Sequence, residues 1–269
     1  MKFSVLMSSY YKDDPEELKI ALRSIWDEQT VKPAEIVIVK DGPLSAELDA
    51  VIDDFSARAP VKIVPLEKNQ GLGIALAEGV KQCSCDCIAR MDGDDISLPD
   101  RFEKQAAFME QNPDIAICGG MTTEFSENPD VITGKRQLPQ TDDEIKKFLK
   151  WRSPFNHPTV MFRKQAVLDA GNYRHFLSYE DYWLWARILQ NNKGYNLPDT
   201  LVNMRAGQDM LYRRKGWRFF IAEIKLAQNL KSINVLNSWQ MLRNIFVRAT
   251  LRLVPVCVLK LVYIKFCRK

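Results

Sequence analysis

Along the first hundred positions the apolar residues fall into two alternating patterns. Residues 2–8 carry Phe3, Val5, Leu6 and Met7 in a short, nearly continuous run, as expected of a strand covered on both faces. From Pro15 the spacing changes. Leu18, Ala21, Leu22, Ile25 and Trp26 follow the 3.6-residue period, with Pro15 at a first helical position and Glu16 and Glu17 in the first turn. The alternation then repeats, with strands predicted over 35–39, 61–66 and 87–91 and helices over 48–55 and 71–81. Further on, helices are predicted over 99–111, 142–151, 164–170 and 180–190, strands over 115–119 and 157–162, and an extended segment over 133–141. Alternating strands and helices predict an α/β fold with a mostly parallel central sheet, flanked by helices and joined by right-handed crossovers. Such sheets bind ligands at the carboxyl ends of their strands. Ser9, Asp41 and the segment 92–95 all stand at such ends, so three polar groups from distant sequence converge on one crevice.

The densest chemistry lies at the end of the fourth strand, where Asp92, Asp94 and Asp95 fall within a span of four residues just after an apolar run. Carboxylates this close resist ionising together, and a hard divalent cation removes the conflict. Oxygen-only ligands suit Mg²⁺ or Mn²⁺, which commonly also hold substrate phosphates. A solvated acidic turn leading into a helix cap would explain Ser97, Pro99 and Asp100 but not the three aspartates. A calcium loop would use Asp92, Asp94 and Glu103, yet it fails at Ile96 and at Ser97, where glycine is required.

Composition narrows the class. The chain has 269 residues, 46% hydrophobic and 27% charged, which fits a globular domain with an appendage. No export signal is legible at the amino terminus, so reduced thiols are expected for Cys83, Cys85, Cys87, Cys118, Cys257 and Cys267. The net charge of +4 conceals a division. Residues 212–269 hold thirteen Lys and Arg against the single acid Glu223, a net +12 that leaves −8 for residues 1–211. The division suggests two parts that meet different partners, a domain over 1–211 and a basic, amphipathic, helical tail over 212–269. The apolar run at 256–266 is too short and too charged to predict a transmembrane helix, and it fits contact with an anionic membrane surface. Nucleic acid is not an expected partner, since the remainder is acidic and no nucleic-acid motif is present.

Seven motifs occur in order: residues 4–10, 35–43, 69–73, 90–95, 99–105, 156–160 and 179–185. Together they resemble the family 2 glycosyltransferases of bacterial exopolysaccharide and O-antigen assembly, over about residues 3–205. The resemblance implies a GT-A fold (the nucleotide-diphospho-sugar transferase fold) and an inverting, metal-dependent transfer of a hexose or N-acetylhexosamine from a UDP-sugar. The acceptor it implies is a hydroxyl of a lipid-linked saccharide, at the cytoplasmic face of the plasma membrane. It assigns Asp41 to the uracil ring, with Ser8 and Ser9 beside the nucleoside. Asp94 would ligate Mn²⁺ or Mg²⁺, and Asp92 would reach the ribose or the metal. Arg90, Gly71 and His157 would line the donor site, His157 near the diphosphate or acceptor. Asp181 would be the base, with Glu180 beside it. Arg101 is expected to pair with a carboxylate or phosphate, and at most one of Trp183 and Trp185 to line the site. Lys40 departs from the pattern, since many relatives carry a second acid there. The alternative is a catalytically silent nucleotide-sugar-binding or scaffold subunit.

Overall fold

The computed structural model describes residues 1–206, 216–249 and 252. Among the described residues, nine strands form one sheet. They are β1 (Ser4–Ser9), β2 (Glu35–Lys40), β3 (Val61–Pro65), β4 (Cys87–Arg90), β5 (Ile96–Ser97), β6 (Ile115–Phe125), β7 (Gly134–Arg136), β8 (Met161–Arg163) and β9 (Lys193–Arg205). Their order is β3-β2-β1-β4-β8-β6-β9-β5, with β7 beside β6. The run β3-β2-β1-β4 is parallel, as the alternating pattern predicts. Beyond β4 the sheet is mixed. β8 is antiparallel to both β4 and β6, while β6 and β9 run parallel.

Register fixes the site. Ser9 pairs with Lys40, Lys40 with Pro65, and Leu6 with Arg90. The carboxyl ends of β1, β2, β3 and β4 therefore share one edge, and the loops that follow them share one crevice.

Side-chain alternation divides the core in two. Phe3, Val5, Met7, Ile36 and Ile38 face the helices α1 (Pro15–Ile25), α2 (Ala46–Ser56) and α4 (Arg101–Gln111). Leu6, Val37, Val39 and Ile88 face α3 (Leu72–Gln82), and the same cluster continues through α5 (Asp142–Leu149), α6 (Lys164–Asp169) and α7 (Glu180–Ile188). A strand covered on both faces needs apolar residues at every position, which is why β1 and β2 lack the alternation of a half-exposed strand.

Two helices follow, α8 (Trp217–Ser232) and α9 (Ser238–Asn244), and then a π-helical turn at Ile245–Ala249. Ala222, Leu226, Leu230, Val235 and Leu236 join the same core as α7. Residues 217–249 thus share their apolar core with the catalytic part. The apolar run at 256–266 lies outside the described residues, as do Cys257 and Cys267.

Three differences from the sequence reading have physical causes. The segment predicted as a strand over 157–162 divides into a 3-10 turn at His157–Thr159 followed by β8, because Pro158 lacks the N–H a ladder needs. β6 runs six residues beyond the predicted 119. Its polar positions Thr122, Thr123 and Glu124 are buried, and Glu124 is paired with Arg136. β9 was not predicted. Asn196, Pro198 and Asp199 interrupt its apolar pattern, and its pairing with β6 absorbs them through register shifts.

Candidate active site

The first wall of the crevice is the turn after β4. Arg90 is fully buried, and its guanidinium grips the carboxylate of Asp92 through two parallel hydrogen bonds. Asp95 is buried and accepts from the Arg205 backbone N–H at 2.8 Å. Arg205 also donates to the Asp94 carbonyl at 3.3 Å and pairs with Glu17 of α1 at 3.0 Å. β5 pairs with β9 through Ile96 and Asn203, so the turn is clamped on both sides.

Asp92, Asp94 and Asp95 each offer a carboxylate oxygen within 4.8 Å of the others. Desolvation by the surrounding turn, then the charge of Asp92, pushes the Asp94 carboxyl up to about 6, although its outer side stays open to solvent. Burial and the charges of Asp92 and Asp94 raise Asp95 well above the usual range. Burial likewise raises Asp13, which also feels Asp92. Arg90 offsets only part of this mutual repulsion, and the three oxygen ligands fit a divalent cation.

The second wall follows β2 and β3. Asp41 is buried, and its two oxygens accept from the backbone N–H groups of Gln70, at 2.7 Å, and Gly71, at 2.9 Å. Asp41 therefore ties the end of β2 to the entrance of α3. A carboxylate accepts up to about four hydrogen bonds, so capacity remains for a base edge. Gly71 has φ +88°, a conformation costly for any residue with a Cβ. Ser9 is buried, its carbonyl accepting from Asp41 N–H at 2.8 Å, and Ser8 is half-buried on β1. Lys40, at the departing position, pairs with Asp49 at 2.8 Å.

The third wall is the amino end of α7, where Glu180 and Asp181 stand half-buried in the first turn. The segment before it lies against α3: the His175 ring is 3.6 Å from where a Cβ on Gly71 would stand. Tyr173 joins the walls. Burial drives its phenol well above the ordinary range, and that phenol lies within electrostatic reach of Arg90, then Asp181, Glu180 and Asp92. Its hydroxyl is 3.0 Å from His157 Nε2.

Arg90, Asp92, Asp94 and Asp95 stand together at the end of β4, Asp41 holds Gly71 on the adjoining loop, and Glu180 lies against Gly73 at the start of α3. His157 is half-buried at the start of the 3-10 turn. Its Nε2 is engaged by Tyr173, and its ring packs against Trp185. Burial, and then the Arg90 charge, hold its pKa well below the usual value. Arg101 differs from the expected carboxylate pairing: among the described residues it pairs with no carboxylate. It is fully buried, donating to the Arg90 carbonyl at 2.7 Å and to Gln105 at 3.0 Å. Trp183 and Trp185 are both buried.

A model described as glycosyl transferase family 2 matches residues 4–171. The chain belongs to the family 2 glycosyltransferases. It is 42% identical over 267 residues to the amylovoran biosynthesis glycosyltransferase AmsE of Erwinia amylovora, covering 98% of each chain. It is 39% identical over 269 residues to an Escherichia coli UDP-Gal:α-D-GlcNAc-diphosphoundecaprenol β-1,3-galactosyltransferase, covering 100% of this chain and 97% of that one. Among solved structures, Staphylococcus aureus TarS 1–349 in complex with UDP-GlcNAc superposes with a TM-score of 0.64 at 19% identity. That match covers 91% of this chain and 70% of the other, and it shows a shared GT-A fold.

Within this glycosyltransferase, sequence reasoning missed Tyr173, Asp13 and Arg205. Tyr173 lies outside every motif. Asp13 reads as an ordinary loop acid. Arg205 stands at the end of the unpredicted β9, and only the pairing of β9 with β5 and β6 brings it to Asp94 and Asp95.

Proposed function

We propose that this glycosyltransferase moves a hexose or N-acetylhexosamine, with inversion, from a UDP-sugar to a hydroxyl of a lipid-linked saccharide in surface polysaccharide assembly. The observation that carries this reading is geometric: Asp41 at the end of β2 ties down the entrance of α3, that entrance lies against Glu180 at the start of α7, and the aspartate cluster follows β4 on the same edge of the sheet. A leaving-group site and a base then face one crevice. The E. coli relative's printed donor and acceptor supply the substrate class.

Asp181 takes the proton from the acceptor hydroxyl as that oxygen bonds to the anomeric carbon, and the bond from that carbon to the β-phosphate oxygen breaks, releasing UDP. No covalent enzyme intermediate is needed. Asp94, the most solvent-open of the three aspartates, with Asp92 beside it, would hold Mn²⁺ or Mg²⁺, which neutralises the diphosphate when bound. Arg90 fixes the orientation of Asp92. Asp41 shapes the loop that receives the uracil, beside Ser8 and Ser9. Glu180 flanks the base, and Gly71 lets the backbone turn close to the donor.

The acceptor's lipid points to a membrane surface. Among the described residues no helix is long and apolar enough to cross a bilayer. Trp239, Leu242 and Phe246 recur at helical spacing and are 72%, 56% and 75% exposed, and Trp217 and Ile221 are exposed on α8. With the basic residues of the 212–269 segment, they suit an anionic interface at the inner face of the plasma membrane.

A panel of UDP-sugars with Mn²⁺ or Mg²⁺ tests the reading. One donor should raise the melting temperature in a metal-dependent way and release UDP only when a diphospholipid-linked saccharide is added. Stabilisation without acceptor-dependent release would favour the silent-subunit alternative.

A further inference from the structure

The basic appendage carries one acid, Glu223, and it is 3% exposed. A buried carboxylate is costly unless several donors meet it. Here they do. Tyr179 Oη donates to its Oε1 at 2.6 Å, Arg252 Nη2 lies 2.8 Å from Oε1, and Arg248 Nη2 lies 3.0 Å from Oε2. Arg252 Nη2 also donates to the Tyr179 hydroxyl at 2.9 Å. The carboxyl stays below its usual range because the two guanidiniums and the phenol outweigh the opposing effect of burial.

Tyr179 immediately precedes Glu180 and Asp181. Its carbonyl accepts from Trp183 N–H at 2.9 Å, the bond that starts α7. The residue before it, Ser178, has φ +58°, a left-handed conformation that a serine holds only where its surroundings impose it. On the other flank of Asp181, the Arg248 guanidinium lies 5.4 Å from the ring centroid of Tyr182. The cluster therefore holds α7 at residues 179 and 182, one on each side of the pair at 180 and 181.

We propose that the Tyr179–Glu223–Arg248–Arg252 cluster is a positioning device, through which the appendage sets the orientation of Asp181. The inference rests on the reading of Asp181 as the base. Ion clusters of this kind add little stability over an apolar replacement, whereas their hydrogen bonds fix one geometry. A base displaced by about 1 Å loses on the order of a hundredfold in rate. The appendage then acts on catalysis without touching the substrate.

The test uses the full chain with the UDP-sugar and acceptor that support turnover, UDP-galactose being the first donor tried. Tyr179→Phe removes one hydroxyl, and Glu223→Gln keeps the shape while removing the charge. Each should lower kcat by about tenfold or more while the donor KM stays within about twofold. A melting temperature within about 4 °C of the parent for Tyr179→Phe would separate positioning from unfolding. If Glu223→Gln does not fold, Tyr179→Phe decides alone. Unchanged kcat, or a loss confined to KM, would overturn the proposal. Full turnover by Asp181→Asn would remove the base reading and this inference with it. An inactive Asp181→Asn beside a fully active Tyr179→Phe would remove this inference alone.

Discussion

Gly73 lies against Glu180: a Cβ built on Gly73 would stand 3.3 Å from the Glu180 Cβ and 2.5 Å from the Arg174 carbonyl oxygen. The first turn of α3 and the first turn of α7 meet here with no room for a methyl group. Gly73→Ala must move backbone, since the nearer obstacle is a carbonyl. It should cost about 1–3 kcal/mol and lower the melting temperature by several degrees. Transfer should fall more than donor binding does, because the displaced wall carries Glu180. A fully active Gly73→Ala of parental stability would contradict this packing.

Asp94→Asn should separate stability from function. A carboxyl raised in the folded state, as Asp94 is to about 6, favours the fold most below the ordinary carboxylate range. That contribution is lost as pH rises through about 6. At pH 7 the ionised Asp94 therefore weakens the metal-free fold, and its neutral amide should stabilise it. With one side in solvent, the gain should be about 1 kcal/mol or less. The same variant should lose Mn²⁺-dependent UDP binding. For the parent chain, Mn²⁺ affinity should fall as pH drops through about 6, where protons compete for Asp94. Calorimetric titration of Mn²⁺ at pH 5 and pH 7 checks this, and equal affinities would remove Asp94 as a ligand.

Burial, first of all, pushes the thiols of Cys83 and Cys118 up to about 12. In the native protein at pH 8 neither should react with iodoacetamide over an hour, and both should react in denaturant. Peptide mass spectrometry reads the outcome directly. Labelling of either in the native state would contradict the packing of β6 and the α3–β4 connection.

Trp239→Ser with Phe246→Ser should reduce co-sedimentation with anionic vesicles without changing the melting temperature by more than a few degrees, since both side chains are exposed. Transfer to a water-soluble acceptor analogue should be unaffected. Undiminished vesicle binding would remove this face from the membrane contact.

How much was legible in the sequence depends on where the determinants lie. β1 to β4 and their helices are locally encoded, because a doubly covered strand must be apolar throughout and an amphipathic helix must repeat. The aspartates at 92, 94 and 95 were legible for a related reason: three acids beside a buried strand need an explanation. The later strands were not. β9 carries Asn196, Pro198 and Asp199, and it is a strand only because β6 lies beside it. Arg101 reads as a partner for a carboxylate or phosphate, but it is buried, donating to Gln105 one turn on and to the Arg90 carbonyl. His157 is legible as a candidate donor-site residue, but its Tyr173 partner, sixteen residues away, is not. Glu223 reads as one acid lost among cations, and only the fold brings Tyr179, Arg248 and Arg252 to its carboxylate.

The central claim is that Asp181 and the aspartates after β4 serve one reaction. The most direct test compares Asp181→Asn with the parent for binding of the preferred UDP-sugar in Mn²⁺ and for turnover with acceptor. Donor affinity within about twofold of the parent, with turnover reduced by about a thousandfold or more, is the predicted result. Turnover within tenfold of the parent would contradict it and place the base elsewhere.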